Sequence, residues 1–263
     1  MRSAGCRRPG SLLFVRDSRA DPLRGTPRSS VMGMGYSRCR TPGYRRNPDV
    51  QQIQHIDPHG PDPVVIDRAA ALLRAGELVA YPTETFYGLA GDPLNPEAVE
   101  LIFAAKERPD RMALPLIAAD REAVRSAVHE FSDSAERLAA ALWPGALTLV
   151  LPASPALSPR LLGGGQTVGI RISPHAVALA LARAFGSAIV ATSANRSGQP
   201  APMTAAEVRV ALGGHVSLVL DGGPTRGGQA STVLDLTLNP PRLVRSGAVP
   251  VSVVEQVLGR RVT

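Results

Sequence analysis

Apolar residues recur along this chain in two alternating periods. Val65, Ala69, Leu72 and Leu73 fall at helical spacing and predict a helix over Val64–Gly76, with the glycine suited to its C-cap. A short apolar run predicts the strand Leu78–Tyr81 ahead of Pro82. In Asn95–Lys106, Val99, Ile102 and Phe103 share one face and Pro96 stands at an early helical position, which predicts a second helix. The strand Leu114–Ala118, the helix Ser132–Leu142 and the strands Leu147–Leu151 and Val168–Ile172 follow. Next come the helix His175–Phe185, the strand Ala188–Thr192 and the helix Ala205–Leu212. The strands Leu218–Asp221, Ser231–Leu236 and Leu243–Arg245 precede a final helix, Val251–Leu258. Helices alternate with strands, yet several strands follow one another directly. That mixture predicts an α/β fold whose sheet combines parallel and antiparallel strands. No internal repeat is present.

The pattern fails at the N-terminus. Residues 1–48 are rich in Arg, Gly, Ser and Pro, and their few apolar positions keep no period. Such a segment buries too little surface to offset its ordering entropy, so residues 1–60 are expected to be a disordered Arg-rich extension. Order is expected from near residue 63, with a single catalytic domain over 61–263. A non-functional extension or an early start codon, a basic arm touching RNA, and an organelle transit peptide all fit the composition of the extension.

Charge follows the same division. The chain of 263 residues carries a formal net charge of +7. Residues 1–60, with 11 Arg and 4 Asp, account for all of it, and residues 61–263 balance at 18 basic and 18 acidic side chains. Net charge therefore gives no argument for nucleic-acid binding by the body. Both cysteines, Cys6 and Cys39, lie in the extension, so the body holds neither a disulfide framework nor a thiolate metal site. A reducing cytoplasm is the expected compartment, and no apolar run is long enough for a membrane span.

Four segments look unlike packing material. Tyr81-Pro82-Thr83-Glu84-Thr85-Phe86-Tyr87-Gly88-Leu89-Ala90 puts hydroxyls and a carboxylate on a turn directly after a strand, where α/β proteins place ligands. A self-capped turn explains the same residues. Lys106-Glu107-Arg108-Pro109 ends a helix, and Lys106 is the only lysine beside 28 arginines. Lysine and arginine differ as anion binders, a point charge against a planar fork; complementing the helix dipole is the plainer role. Ala191-Thr192-Ser193-Ala194-Asn195-Arg196-Ser197-Gly198 offers Ser193 and Asn195 to phosphate oxygens, or to a local turn. In Gln166–Arg171 an arginine sits within an apolar strand and needs an anionic partner, either a ligand or an internal salt bridge. There is no GxSxG elbow, Walker-type loop or HExxH, and the five histidines (His55, His59, His129, His175, His215) lie outside these segments. This inventory suits a reaction whose nucleophile comes from the substrate, such as adenylyl transfer.

The segments YPTETFYGLAGD, KERP, WPGALTLVL, TVGIRI, ATSANRSGQPAP, STVLDL and RSG, in this order from residue 81 to 247, resemble the YrdC family of threonylcarbamoyl-adenylate synthases. The resemblance implies one twisted α/β domain with a concave, positively lined substrate face. It implies L-threonine, bicarbonate and ATP as substrates, magnesium accompanying ATP, and no protein metal site. Lys106, Arg108, Ser193 and Asn195 match the family's KxR and SxN signature. They are implied to serve catalysis and the ATP phosphates, with Thr167 and Arg245 as further nucleotide contacts. Thr85, Arg171 and Ser231 are implied to hold threonine, with Arg171 on its carboxylate. Implied partners are the proteins that transfer threonylcarbamoyl to tRNA, with tRNA or double-stranded RNA contact an alternative use of the face. Ending at Thr263, the chain is expected to be the short, single-domain form. Met112 and Ala113 stand where relatives often have Lys or Asn and then Pro. Ala191 and Ala201 stand where hydroxyls are frequent. The related hydrogenase-maturation proteins add an acylphosphatase region and zinc fingers, for which this sequence has no counterpart.

Overall fold

Two sheets, each of mixed strand direction, organise residues 52–109 and 112–263, the residues described in the computed structural model. In chain order the elements are β1 (Gln52–His55), α1 (Pro63–Arg74), β2 (Val79–Tyr81), β3 (Gly88–Ala90), α2 (Pro96–Lys106), β4 (Leu116–Ala118), α3 (Arg121–Ala127) and α4 (Asp133–Leu142). They continue with β5 (Leu147–Pro152), β6 (Thr167–Ile172), α5 (Ala176–Phe185), β7 (Ile189–Val190), β8 (Thr192–Ser193), α6 (Ala205–Leu212), β9 (Leu218–Asp221), β10 (Thr232–Asp235), β11 (Arg242–Arg245) and α7 (Val251–Leu258). The first sheet runs β1-β9-β2-β3-β8 and the second β11-β10-β5-β6-β4-β7.

Two apolar cores explain why the central strands read as unbroken hydrophobic runs. Leu78 and Ala80 point into the larger core, with Ile102 and Phe103 of α2 and Leu138 of α4. Val79 and Tyr81 point into the smaller one, against α1 and α5. In β4, Leu116 and Ala118 join the larger core and Ile117 the smaller. A strand covered on both faces has no polar side to alternate with. Strand β6 differs: Val168, Ile170 and Ile172 enter the larger core, while Thr167, Gly169 and Arg171 occupy the opposite, half-exposed face.

Helix ends follow the sequence signals. Asn95 caps α2 by accepting from the Glu97 and Ala98 amides, and Ser132 caps α4. Thr204 and Glu207 form a reciprocal capping box on α6. α2 stops at Glu107, which adopts the left-handed conformation at φ 49°.

The structure corrects the sequence reading in four places. Order begins ahead of residue 61: β1 lies parallel to β9, with Gln52 opposite Leu218 and His55 opposite Asp221. It is a sheet-edge strand with mostly exposed side chains, so no hydrophobic period announced it. For residues 1–51 the expected disorder falls outside the described residues. The strand foreseen at Ala188–Thr192 is two short strands, β7 in the second sheet and β8 in the first, separated by Ala191. Strand β3 and helix α3 were not foreseen, both being too short for a period to show. Finally, the strands form two sheets rather than one.

Candidate functional site

Lys106 is buried at 1% exposure, and its ammonium donates to the carbonyls of Ser193 (2.5 Å) and Asn195 (2.6 Å). Its own carbonyl accepts from the Ser197 amide at 2.8 Å. The end of α2 is thus bonded at three points to the loop that leaves β8. Burial, and then the charge of Arg108, lowers the Lys106 ammonium to about 7. The two close carbonyls oppose that shift, because an ammonium donates to them more strongly than a neutral amine.

Within the loop, the Asn195 side-chain amide donates to the carbonyls of Arg196 (2.9 Å) and Gln199 (2.6 Å). Its donors are therefore spent locally and are not offered to phosphates as the sequence suggested. Its Oδ1 is buried without a partner, as is Ser197 Oγ. Ser193 is half-buried and sits opposite Gly88 in the β3–β8 pair. Arg108 holds the following turn, donating from Nε to the Met112 carbonyl (3.2 Å) and from Nη2 to the Ala113 carbonyl (2.9 Å). Only backbone oxygens are used, so the unusual side chains at 112 and 113 leave this tether intact.

The turn after β2 is self-capped and also tied to the second sheet. Thr83 Oγ1 accepts from the Thr85 and Phe86 amides and donates to the Phe86 carbonyl. The Thr85 carbonyl accepts from the Gly227 amide at 2.8 Å. Glu84 Oε1 pairs with Arg171 Nη1 at 2.7 Å, and Glu84 Oε2 accepts from the buried Ser173 hydroxyl at 2.7 Å. The internal salt bridge considered for Arg171 is therefore present, and its partner is the carboxylate of the turn itself. Tyr81 lies beside them, fully buried, its hydroxyl without a partner and its pKa raised by burial.

Beyond Arg171, Ser231 bridges β5 and β11. Its hydroxyl lies 2.9 Å from Thr148 Oγ1, and Arg245 reaches its carbonyl from Nε (3.1 Å) and Nη2 (2.8 Å). Burial, then the nearby charge of Arg171, lowers the Arg245 pKa. Thr167 stands on the same face of β6 as Arg171, two alternations away. That places their Cα atoms about 13 Å apart at strand rise. Gly169 lies between them, where an added Cβ would come within 3.2 Å of Thr148 Cγ2. The candidate residues thus form a continuous path: Lys106 and the 193–197 loop, the 81–88 turn, then Arg171, Arg245, Ser231 and Thr148.

On the other flank of Glu84 is a 420 Å³ cavity lined by Thr83, Glu84, His59, His175 and residues 222–226. His175 caps α5 through Nδ1, and burial lowers its pKa. Thr148 and His175 were not singled out from sequence, and the turn that was singled out gave no sign of the partners of Glu84 or the burial of Tyr81, because these depend on contacts distant in the chain. Among the described residues no cluster of His, Cys, Asp and Glu could hold a metal ion.

The profile of the Sua5/YciO/YrdC family, described as telomere recombination, matches residues 71–247. The chain belongs to this family. A Bacillus subtilis member named threonylcarbamoyl-AMP synthase is 45% identical over 195 residues, covering 74% of this chain and 56% of its own. The chain thus spans just over half the length of that relative. The solved structure of P. abyssi Sua5 with L-threonine superposes with a TM-score of 0.76 at 40% identity, covering 80% of this chain and 62% of that one. Escherichia coli YciO superposes at 0.70 with 28% identity, covering 77% of this chain and 98% of that one. Both share the mixed α/β fold.

Proposed function

We propose that this Sua5/YciO/YrdC protein is an L-threonylcarbamoyladenylate synthase, a nucleotidyltransferase acting on L-threonine, bicarbonate and ATP. The observation that carries the reading is the path of cations and hydroxyls from Lys106 to Arg245, built from the segments that resemble the family. The B. subtilis relative named threonylcarbamoyl-AMP synthase and the P. abyssi Sua5 structure with L-threonine support it.

In this reading the threonine amine captures bicarbonate, forming a carbamate and releasing water. A carbamate oxygen then attacks the α-phosphorus of ATP, and the bond to the β-phosphate oxygen breaks, releasing pyrophosphate. Arg171 holds the threonine carboxylate, with Thr85 and Ser231 orienting the rest. Lys106 and Arg108 stabilise charge on the phosphates, Ser193 adds a neutral hydrogen bond, and Thr167 and Arg245 border the nucleotide. Magnesium would come only as a guest of the nucleotide, because among the described residues no cluster of carboxylates or histidines could hold it, and water would complete its coordination. Bound there, magnesium would draw charge from the phosphates. The product would pass to proteins that modify tRNA, in the cytoplasm. Among the described residues no helix is long and apolar enough to cross a membrane.

The test is pyrophosphate release by the full chain with ATP and magnesium, omitting threonine or bicarbonate in turn. Release should require both. Folded protein that releases none with all substrates present would favour the RNA-binding use of the face, to be checked by salt-dependent RNA affinity.

A further inference from the structure

Arg171 makes both of its protein contacts from one nitrogen. Nη1 meets Glu84 Oε1 at 2.7 Å and donates to the Gly145 carbonyl at 3.3 Å. Among the described residues, Nε and Nη2 carry no contact. The hydrogens of Nε and Nη2 lie parallel along one edge of the guanidinium, the edge that binds a carboxylate with two bonds. Holding Nη1 therefore selects which edge the ligand meets.

Glu84 is itself fixed before it does this. Its second oxygen accepts from Ser173, a residue with no exposed surface, and the turn that bears it is closed by Thr83. Side-chain exposure is only 11% for Arg171 and 21% for Glu84, so water competes weakly for the pair. Charge points the same way. Arg171 and Arg245 lie close enough to repel, and Glu84 balances one of the two. One positive charge remains, which suits a ligand bringing one carboxylate.

Resting on the threonine reading of this site, we propose that Glu84 is the positioning residue for Arg171, clamping Nη1 so that the Nε–Nη2 edge receives the substrate carboxylate. Glu84 touches no substrate in this role; it acts through the arginine. The acidic position in the 81–90 segment is then part of amino-acid recognition rather than of the turn alone.

The experiment compares the full chain with Glu84→Gln, which keeps the shape and removes the charge, and with Ser173→Ala, which removes the support of Oε2. Titration calorimetry with L-threonine should show affinity about tenfold weaker in E84Q and a smaller loss in S173A, with ATP affinity unchanged. Without any ligand, 15N-labelled wild type should show slow rotation about the Arg171 Cζ–Nη1 bond, because Nη1 is the nitrogen that Glu84 holds, and E84Q should lose that restriction. Unchanged Nη1 restriction in a folded E84Q would overturn the proposal, as would equal loss of threonine and ATP affinity. If the wild type binds no threonine while E84Q still frees Arg171 Nη1, the functional reading falls and the clamp stands.

Discussion

At the scale of single residues, Lys106 shows how one side chain serves two demands. Its ammonium is bound to two carbonyls of the 193–195 segment, so it shapes the loop before any nucleotide arrives. Its pKa is lowered from the ordinary lysine value to about 7, so its positive charge is present below that pH and lost above it. ATP affinity should therefore fall as pH rises through about 7, and the fall should disappear in Lys106→Met; calorimetry on either side of neutrality checks this. Bound phosphates favour the charged form and will move the transition upward. Replacement by Ala should lower turnover far more than threonine affinity, because the threonine contacts are assigned to Arg171, Thr85 and Ser231. Equal loss of both, read as kcat and threonine Kd, would remove Lys106 from the chemistry. Its importance was legible in the sequence as the sole lysine of the chain, but its burial was not. A cation at the end of a helix reads as exposed until a loop 87 residues away closes over it.

At the scale of elements, strand β6 does the dividing. Its alternation sends Val168, Ile170 and Ile172 into the core and turns Thr167, Gly169 and Arg171 to the opposite, half-exposed face. Gly169 keeps the span between the two ends open. Gly169→Ala should leave the strand intact, since of the neighbours of the added Cβ only the Thr148 methyl must give way. It should also weaken nucleotide binding by about tenfold or more, the effect of removing roughly 1.4 kcal/mol of affinity. Thermal denaturation alongside calorimetry separates these outcomes: a large fall in Tm would mean that the glycine serves packing instead. The long helices were readable because their period extends over many residues, and the doubly covered strands because each sits in an unbroken apolar run. Strands β3, β7 and β8 have two or three residues each and carry no period, so only their hydrogen-bonded partners define them.

For the whole molecule, the question is where the folded unit begins. Strand β1 completes the first sheet against β9, and Ile56 just after it is 2% exposed. A chain starting at residue 61 loses both and leaves one side of β9 unpaired, a template for self-association. Losing Ile56 alone costs about 2 kcal/mol. That corresponds to roughly 5 °C in Tm for a domain of this size. Such a truncation should melt earlier than the full chain and scatter more light as concentration rises. Equal melting points would show that β1 adds nothing. The sequence pointed to 61 because composition changes there, whereas the sheet accepts polar residues at its edge for their backbone bonds alone.

The passage from β7 to β8 has a consequence for how sequences of this kind can vary. Ala191 is the whole connection between the two sheets at this point. Its amide bonds to Pro115, which leads into the second sheet, and the Val190 amide bonds to Gly91, which leaves the first. A residue gained or lost here would reverse the faces of everything downstream in β8, while the apolar contacts of β7 stayed as they are. The side chain of Ala191 is only partly buried against the smaller core, so a change of residue disturbs less here than a change of length. Drift in this stretch can change letters and cannot change their number, and the spacing from Val190 to Asn195 is the feature to compare when more distant sequences are aligned.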